Sequence, residues 1–191
     1  MDFELFKLVN QFAGQSHLAD IVMLALARYG PLLFALPLLY LWFAGGTRGM
    51  EPGGIAGKKA ALLALVSLAL ALLIAQAIGY AYFRDRPFAS HEVNLLVDRS
   101  TDPSFPSDHV TFSFAIAGIV WLQDRRIGWP ALILGGLIAL SRVFVGTHYP
   151  LDVIGGALVG LGAAALVWKA RKKFDPLTSF VITVARKLKL A

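Results

Sequence analysis

Long apolar runs alternate with short polar segments along this chain. Five runs stand out: Tyr29–Ala44, Ala60–Phe83, Val110–Leu122, Trp129–Val145 and Leu151–Trp168. A helix that crosses the hydrocarbon core of a membrane needs about 20 residues, with a range of about 17–25. The second, fourth and fifth runs therefore predict spans, and the other two must extend into their flanks. Only helices suit such runs, because backbone groups in lipid must be paired within the segment. We expect an all-α fold, a polytopic transmembrane helical bundle of five to six spans.

The first 28 residues leave two possibilities open. Phe3, Phe6, Leu8 and Phe12 have helical apolar spacing, but polar residues interrupt it. The segment predicts either an interfacial helix or an imperfect sixth span. The expected organisation is an N-terminal segment (1–28), a transmembrane domain (29–169) and a basic amphipathic tail (170–191).

The composition supports a membrane protein. Of the 191 residues, 57% are hydrophobic and 16% are charged, whereas soluble domains carry about 25% charged residues. A soluble helical bundle is disfavoured, because it would not need several separate runs near span length. The chain has no cysteine, which excludes a disulfide, a thiolate nucleophile and a cysteine-based metal site.

The net charge of +6 is concentrated in alternate loops and in the tail. The basic residues there are Arg48, Lys58, Lys59, Arg125, Arg126 and the run that begins at Lys169. Lysine and arginine in short loops mark the cytoplasmic side of a membrane protein, so we expect these loops and the C-terminus in the cytoplasm. The same residues are suited to contacts with anionic inner-leaflet lipid, and we expect no nucleic-acid partner.

Three polar clusters fall on the opposite membrane face. They are "RDRPF" (84–88), "SFPSDH" (104–109) and "SRVFVGTHYPLD" (141–152). Charged side chains near lipid are costly, by roughly 2.5–3.5 kcal/mol at the centre of a span. The clusters are far apart in sequence, but each lies at the outer end of a predicted helix. We therefore expect them to meet at one site.

The second cluster has the features of a helix start. Pro106 ends any preceding helix, and Ser107 is a favoured N-cap residue. A helix N-terminus binds phosphate through its unpaired N–H groups, and His109 in the first turn would reach the same anion. The alternative is plain capping at a loop-to-helix junction.

The third cluster combines a cation with a possible His–Asp pair. Asp152 follows His148 by four residues, so its carboxylate can reach one imidazole nitrogen and leave the other as a nucleophile. Arg142, like Arg86 in the first cluster, offers a planar fork that matches phosphate oxygens. The alternatives are snorkelling or interfacial arginines, a His–Asp clamp on the loop, or Asp152 as the cap of the last helix. Together the three clusters supply what phosphoryl transfer needs: charge stabilisation, a nucleophile and an acid–base group.

These motifs resemble the signatures of the type 2 phosphatidic acid phosphatase superfamily, which are Lys-x6-Arg-Pro, Pro-Ser-Gly-His and Ser-Arg-x5-His-x3-Asp. The third signature matches in full. The sequence around the three motifs is most similar to the bacitracin-resistance type of bacterial undecaprenyl-diphosphatases. Two positions depart from the pattern: Gly79 stands where the first signature has lysine, and Asp108 replaces the glycine of the second. Arg84 is the candidate replacement for the missing positive charge, and Asp108 is interpreted as a mark of the undecaprenyl-diphosphatase branch that tunes His109 or selects substrate.

The resemblance implies a role for each matching residue. It implies that His148 attacks phosphorus to give a phosphohistidine and that Asp152 orients His148. It further implies that His109 protonates the leaving oxygen and then activates water. The resemblance implies that Arg86, Arg142 and Ser107 bind phosphate, and Asp108 and Arg84 are further candidates for phosphate binding.

The resemblance also implies a substrate and a location. It implies hydrolysis of undecaprenyl diphosphate, a polyprenyl diphosphate lipid, at the extracytoplasmic face of a bacterial inner membrane, with no metal and no cofactor. Asp98 and Asp102 are interpreted as solvated loop charge rather than as ligands of a divalent ion. Two alternatives are the same chemistry on phosphatidylglycerol phosphate or another lipid phosphate, and a lipid-phosphate carrier that does not hydrolyse its cargo.

Overall fold

The computed structural model describes residues 1–44 and 54–190, a part of the chain that excludes Arg48. It contains nine α-helices: α1 (Asp2–Asn10), α2 (His17–Tyr29), α3 (Ala35–Phe43), α4 (Ile55–Ala81), α5 (Pro87–Ser90), α6 (Asp108–Gln123), α7 (Arg125–Phe144), α8 (Pro150–Lys169) and α9 (Asp175–Lys187). Two 3₁₀ turns, Gly30–Phe34 and Arg171–Phe174, connect α2 to α3 and α8 to α9. These residues form no strand, so the all-α expectation is confirmed.

Four helical segments in the described ranges are long and apolar enough to cross a membrane: His17–Phe43, Ile55–Ala81, Arg125–Phe144 and Pro150–Lys169. The protein is therefore a multi-pass membrane protein. The expected five to six spans exceed these four. Helix α6 runs through the bundle beside them, but its 16 residues extend only about 24 Å. It can be short because it is packed among the other helices rather than against lipid.

The N-terminal 28 residues separate into two parts. Helix α1 has 9 residues, too few to cross a membrane, and it lies against the start of α8, where Asp2 Oδ1 accepts a hydrogen bond from Leu151 N (3.2 Å). Helix α2 instead continues through the 3₁₀ turn into α3 as one apolar segment. Residues 17–28 thus belong to the first span, and α1 lies across the end of the bundle.

Small residues let the central helices pack backbone to backbone. A Cβ atom added at Gly156 of α8 would lie 2.7 Å from the Ser107 carbonyl oxygen, and one added at Gly160 would lie 2.6 Å from that of Thr111. On the other side of α6, Ser67 Oγ of α4 donates a hydrogen bond to the Ala115 carbonyl oxygen (3.1 Å). Such small-residue seams are a common way for helices to associate in lipid.

The outer faces of the long helices are apolar. Exposed large side chains occur on every long segment except α6, for example Leu36, Leu73, Ile133 and Leu158. A contiguous apolar surface of this kind marks contact with lipid in a chain with several spans. Helix α6 has no exposed large hydrophobic side chain, which places it at the centre of the bundle.

The two ends of the bundle differ in charge. At one end of the bundle, α1 lies with the C-terminal ends of α4 and α7 and the first turns of α6 and α8. The opposite end carries Arg125, Arg126 and the basic tail, whose helix α9 is held by an ion pair from Lys59 Nζ to Asp175 Oδ1 (2.7 Å). The Trp42 indole also donates a hydrogen bond to the Leu190 carbonyl oxygen (2.8 Å).

Candidate active site

A cavity of about 680 Å³ opens at the end of the bundle where α1 lies. Its wall includes Arg86 from the first polar cluster, His109 from the second, and Arg142 and His148 from the third. The expected convergence of the three clusters is thus present in the fold. The volume lies in the range typical of small-molecule sites, roughly 300–1,000 Å³.

A tight turn between α7 and α8 presents His148 to this cavity. The backbone N–H groups of Thr147 and His148 both donate to the Arg142 carbonyl oxygen (3.1 and 3.3 Å). Gly146 adopts φ +89°, which an L side chain rarely adopts, and an added Cβ would lie 2.9 Å from the Asn94 carbonyl oxygen. Pro150 is the first residue of α8, so the turn is fixed on both sides of His148.

The His148 ring is oriented by a backbone carbonyl. Its Nδ1 lies 2.8 Å from the Ser104 carbonyl oxygen and 3.8 Å from Asp152 Oδ2. The direct hydrogen bond expected between Asp152 and His148 is therefore wrong. A carbonyl oxygen can only accept, so Nδ1 carries the proton and the lone pair of the neutral ring is on Nε2. Burial lowers the pKa of His148 to about 4, and the Arg142 and Arg86 charges act in the same direction.

Asp152 lies behind His148 and is fully buried. Its Oδ2 accepts hydrogen bonds from Ser104 Oγ (2.5 Å) and from Tyr149 N (2.8 Å), so Asp152 does cap α8, as one alternative predicted. The Ser104 carbonyl oxygen also accepts the hydrogen bond from His148 Nδ1. Asp152 therefore contacts the histidine indirectly, through Ser104. The residue sits at the third position of α8, and this turns its carboxylate back toward the start of the helix rather than toward the imidazole.

Arg84 pairs with carboxylates instead of lining the cavity. Its Nη1 and Nη2 lie 2.6 Å from Asp152 Oδ1 and 2.6 Å from Asp2 Oδ2, and its guanidinium lies 4.2 Å from the Tyr149 ring centroid. The expectation that Arg84 contacts phosphate is therefore wrong, because both ends of its fork are occupied on the side away from the cavity. The missing first-signature lysine is not replaced by Arg84.

Arg86 is buried, with a side chain 6% exposed, and its whole fork is engaged. Nη2 pairs with Asp102 Oδ2 (2.7 Å), Nε donates to the Asp102 carbonyl oxygen (3.1 Å) and Nη1 donates to the Thr147 carbonyl oxygen (3.2 Å). The same Nη1 lies 3.4 Å from His148 Nε2. Arg86 is thus placed beside the free nitrogen of His148. The Asp102 carboxylate binds its guanidinium in the way that an anionic ligand would.

Arg142 is a further arginine that lines the cavity. Its Nη1 donates to the Ala27 carbonyl oxygen (3.3 Å), and its buried Nε has no hydrogen-bond partner among the described residues. A buried guanidinium N–H without an acceptor is costly, and an anion in the cavity would supply one.

The start of α6 brings Ser107, Asp108 and His109 to the same end. Ser107 is the N-cap residue, as expected, but its side chain makes no capping bond, and its buried Oγ has no partner within the described part of the chain. Its backbone N–H donates to the Asp152 carbonyl oxygen (3.1 Å) and so joins α6 to α8. Asp108 and His109 both line the cavity.

Sequence reasoning missed several residues that build the site. Ser104 joins Asp152 to His148, although it lies inside the quoted second cluster. Asn10 is buried, and its Nδ2 donates to the carbonyl oxygens of Asn94 and Phe144 (2.8 Å each), while its Oδ1 accepts from Asn94 N (2.9 Å). A polar residue in an otherwise apolar helical pattern was the one signal for Asn10. These contacts attach α1 and the loop after α5 to the end of α7.

The arrangement defines a class of site: an unprotonated imidazole nitrogen beside Arg86, in a cavity that Arg142 also lines, at one end of a membrane-spanning helical bundle. Such a site suits nucleophilic attack on a phosphate group. Residues 60–176 match the PAP2 superfamily, and the chain belongs to this family. It is 33% identical, over 184 residues, to undecaprenyl-diphosphatase BcrC of Bacillus subtilis; the alignment covers 96% of this chain and 91% of that protein.

Solved structures agree on the fold. The crystal structure of Aquifex aeolicus LpxE superimposes with a TM-score of 0.71 at 25% identity, covering 87% of this chain and 94% of that one. A transmembrane PAP2 type phosphatidylglycerolphosphate phosphatase from Bacillus subtilis superimposes with a TM-score of 0.67 at 21% identity, covering 90% and 85%. The expected PAP2-type transmembrane fold is confirmed.

Proposed function

We propose that this protein is a lipid phosphatase that hydrolyses undecaprenyl diphosphate to undecaprenyl phosphate and inorganic phosphate. The observation that carries the proposal is the His148 ring: its Nδ1 proton is held by Ser104, and its Nε2 lone pair lies beside Arg86. The similarity to undecaprenyl-diphosphatase BcrC over nearly the whole chain supports the choice of a polyprenyl diphosphate as substrate.

In the first step, His148 Nε2 attacks the terminal phosphorus and forms an N–P bond. The bond from phosphorus to the bridging oxygen breaks, and undecaprenyl phosphate leaves with that oxygen. The substrate phosphate displaces the Asp102 carboxylate from Arg86, and the Arg86 and Arg142 forks then stabilise the charge on the transferred phosphoryl oxygens. The proton stays on Nδ1, which donates to the Ser104 carbonyl oxygen, so the positive charge that develops on the ring is stabilised by this carbonyl and by the Asp152 carboxylate behind it.

In the second step, water attacks the phosphohistidine and the N–P bond breaks. His109 is the acid–base group: it donates a proton to the leaving oxygen in the first step and accepts one from water in the second. Inorganic phosphate leaves, and the lone pair returns to Nε2. Ser107 Oγ, which lacks a partner in the described chain, completes the set of donors to the phosphoryl group.

The active site faces the outside of a bacterial inner membrane, and the C-terminus faces the cytoplasm. Lys59, Arg125, Arg126 and the tail lie at the end of the bundle away from His148, and positive charge in short loops marks the cytoplasmic side. A cysteine introduced at Ser90 should react with a membrane-impermeant maleimide in intact cells, whereas one at Lys172 should be protected. The opposite labelling would place the site in the cytoplasm.

Phosphate release in detergent without added metal tests the function. Purified protein should release phosphate from undecaprenyl diphosphate faster than from phosphatidylglycerol phosphate, and His148→Ala should abolish release while the protein remains folded. Faster release from phosphatidylglycerol phosphate would reassign the substrate. Binding of the diphosphate without release would indicate a carrier, which needs cationic donors but no free imidazole nitrogen.

A further inference from the structure

A chain of short polar contacts runs behind the nucleophile to the N-terminus of the protein. It passes from Asp2 to Arg84, from Arg84 to Asp152, and from Asp152 through Ser104 to His148. Every link is 2.5–2.8 Å long. Asp2, Arg84, Ser104 and Asp152 do not line the cavity, and their side chains are occupied by these contacts, so a bound phosphate would not contact them.

We propose, on the basis of the function above, that Arg84 and Asp2 are positioning residues that hold Asp152 and, through Ser104, the ring of His148. Helix α1 then completes the active site from behind, although no residue of α1 lines the cavity. Asp2 also accepts a hydrogen bond from Leu151 N (3.2 Å), so it fixes both the arginine and the first turn of α8.

The charges explain why this support is needed. Asp152 is fully buried, and a buried carboxylate is stable only when it is paired and hydrogen-bonded. Arg84 supplies the cation, but its own side chain is 23% exposed and would retain many rotamers without a second partner. Asp2, 13% exposed, is that partner. The Tyr149 ring, 4.2 Å from the Arg84 guanidinium, packs against this group as well.

The kinetic test uses Arg84→Met, Arg84→Lys and Asp2→Asn in the full chain with undecaprenyl diphosphate. Arg84→Met should lower kcat about 10- to 100-fold, as expected for a misplaced nucleophile, and leave KM within about twofold, because the phosphate contacts remain. Asp2→Asn should lower kcat less, and Arg84→Lys should recover part of the loss. The inhibition constant of inorganic phosphate should not change in any of them.

The control is Lys7→Gln, which removes the exposed ion pair from Lys7 to Glu4 on the same helix (2.8 Å) and should leave kcat unchanged. Asp2→Asn added to Arg84→Met should cause no further loss, because the two residues act through one contact. Additive losses, or a rise in KM and in the phosphate inhibition constant, would overturn the positioning role. Absence of turnover in the wild-type protein would instead overturn the proposed function.

A separate observation concerns a third arginine on the cavity wall, besides Arg86 and Arg142. Arg28 lines the same cavity as His148 and Arg142, and it belongs to the apolar segment His17–Phe43. None of the ion pairs within residues 1–44 and 54–190 includes it, and its guanidinium lies 5.9 Å from the Tyr29 ring. An ionisable side chain within a membrane span is expensive and marks function.

The position of Arg28 relates it to the leaving group. It follows Ala27, whose carbonyl oxygen binds Arg142, and the same wall carries the apolar side chains Leu24, Leu95 and Leu96. The wall thus places a cation next to a surface suited to a hydrocarbon chain. Gly79 leaves the first-signature lysine position without a cation, and an added Cβ there would lie 3.1 Å from Pro103 Cγ.

From these observations we infer, again on the basis of the proposed function, that Arg28 binds the second phosphate of a diphosphate lipid, the one that leaves with the lipid chain. A matched pair of probes tests this: farnesyl diphosphate and farnesyl phosphate, which share a tail and differ by one phosphate. Arg28→Gln should lower kcat/KM for the diphosphate about tenfold or more, the loss expected for a charged hydrogen bond. The loss for the monophosphate should stay within about twofold.

Arg126→Gln, at the opposite end of the bundle, is the control and should affect neither probe. Equal losses of Arg28→Gln on both probes, or no loss on either, would overturn the second-phosphate site. If the wild-type protein hydrolyses neither probe nor undecaprenyl diphosphate, the proposed function itself fails.

Discussion

The contact between α8 and α6 at Gly156 predicts a loss of activity from one added methyl group. In Gly156→Ala the new Cβ would lie 2.7 Å from the Ser107 carbonyl oxygen and 3.2 Å from Thr111 N. Both are backbone atoms in or next to α6, so no side-chain rotation can relieve the contact. Gly156 lies one helical turn after Asp152, and Ser107 is two residues before His109, so the strain falls between the two halves of the site.

The size of the effect follows from the geometry. An ordinary contact begins near 3.4 Å, so α6 and α8 must separate by about 0.7 Å at this point. Overpacking of this kind costs about 1–3 kcal/mol of stability, and a displacement of about 1 Å in an active site costs about 100-fold in rate. We therefore expect Gly156→Ala to lower kcat about 10- to 100-fold.

The control is the same substitution on the same helix. A Cβ added at Gly162 meets no atom within 4 Å, so Gly162→Ala should keep full activity, and it should gain up to about 1 kcal/mol from helix propensity. Both variants are compared by phosphate release in detergent and by thermal unfolding. If Gly156→Ala is as active and as stable as Gly162→Ala, the contact between the two helices does not set the geometry of the site.

Three further predictions concern single side chains. Asp102→Asn removes the carboxylate that occupies Arg86 and should lower KM for the diphosphate about two- to fivefold, the range for an exposed ion pair; a higher KM would contradict this. The pKa of about 4 for His148, below its ordinary 6.5, keeps the ring neutral at pH 5. The stability of the protein should fall as the pH drops from about 6.5 to about 4, because the unfolded chain takes up the proton first. A ¹⁵N NMR titration of His148 with a midpoint near 6.5 would refute this pKa. Asn10→Ala leaves buried backbone groups unpaired and should destabilise the protein by about 1–3 kcal/mol, measured as a loss of thermal stability; an unchanged melting temperature would show that α1 is not anchored there.

The helical architecture was predictable because lipid restricts what an apolar run can form. The convergence of Arg86, His109 and His148 followed from topology alone, since alternate loops lie on the same side of a membrane. These inferences use only the order of the runs and the placement of charge, which the sequence displays directly.

The partners of individual side chains were less predictable. The four-residue spacing of His148 and Asp152 permits a direct hydrogen bond, but Asp152 instead turns to the N–H of Tyr149, and the acceptor for the imidazole is the backbone of Ser104. A backbone carbonyl leaves no signal in residue type. Arg84 was the candidate replacement for the missing first-signature lysine, yet it pairs with Asp152 and Asp2 behind His148. Asp2 lies 82 residues from Arg84, and only the folded chain brings them together.

Helix α6 carries His109 and yet presents no large apolar side chain to the exterior. A change in bilayer thickness or acyl composition acts on a protein through its lipid-facing surfaces, which here belong to the surrounding helices. His109, the proposed acid–base group, is thus separated from the lipid, whereas α2, which contributes Leu24 to the cavity wall, has exposed apolar side chains such as Leu18 and Ile21. The His109 side of the reaction centre should therefore keep its geometry in membranes of different thickness, and adaptation to a new lipid tail can proceed through Leu24, Leu95 and Leu96 of the cavity wall, outside α6.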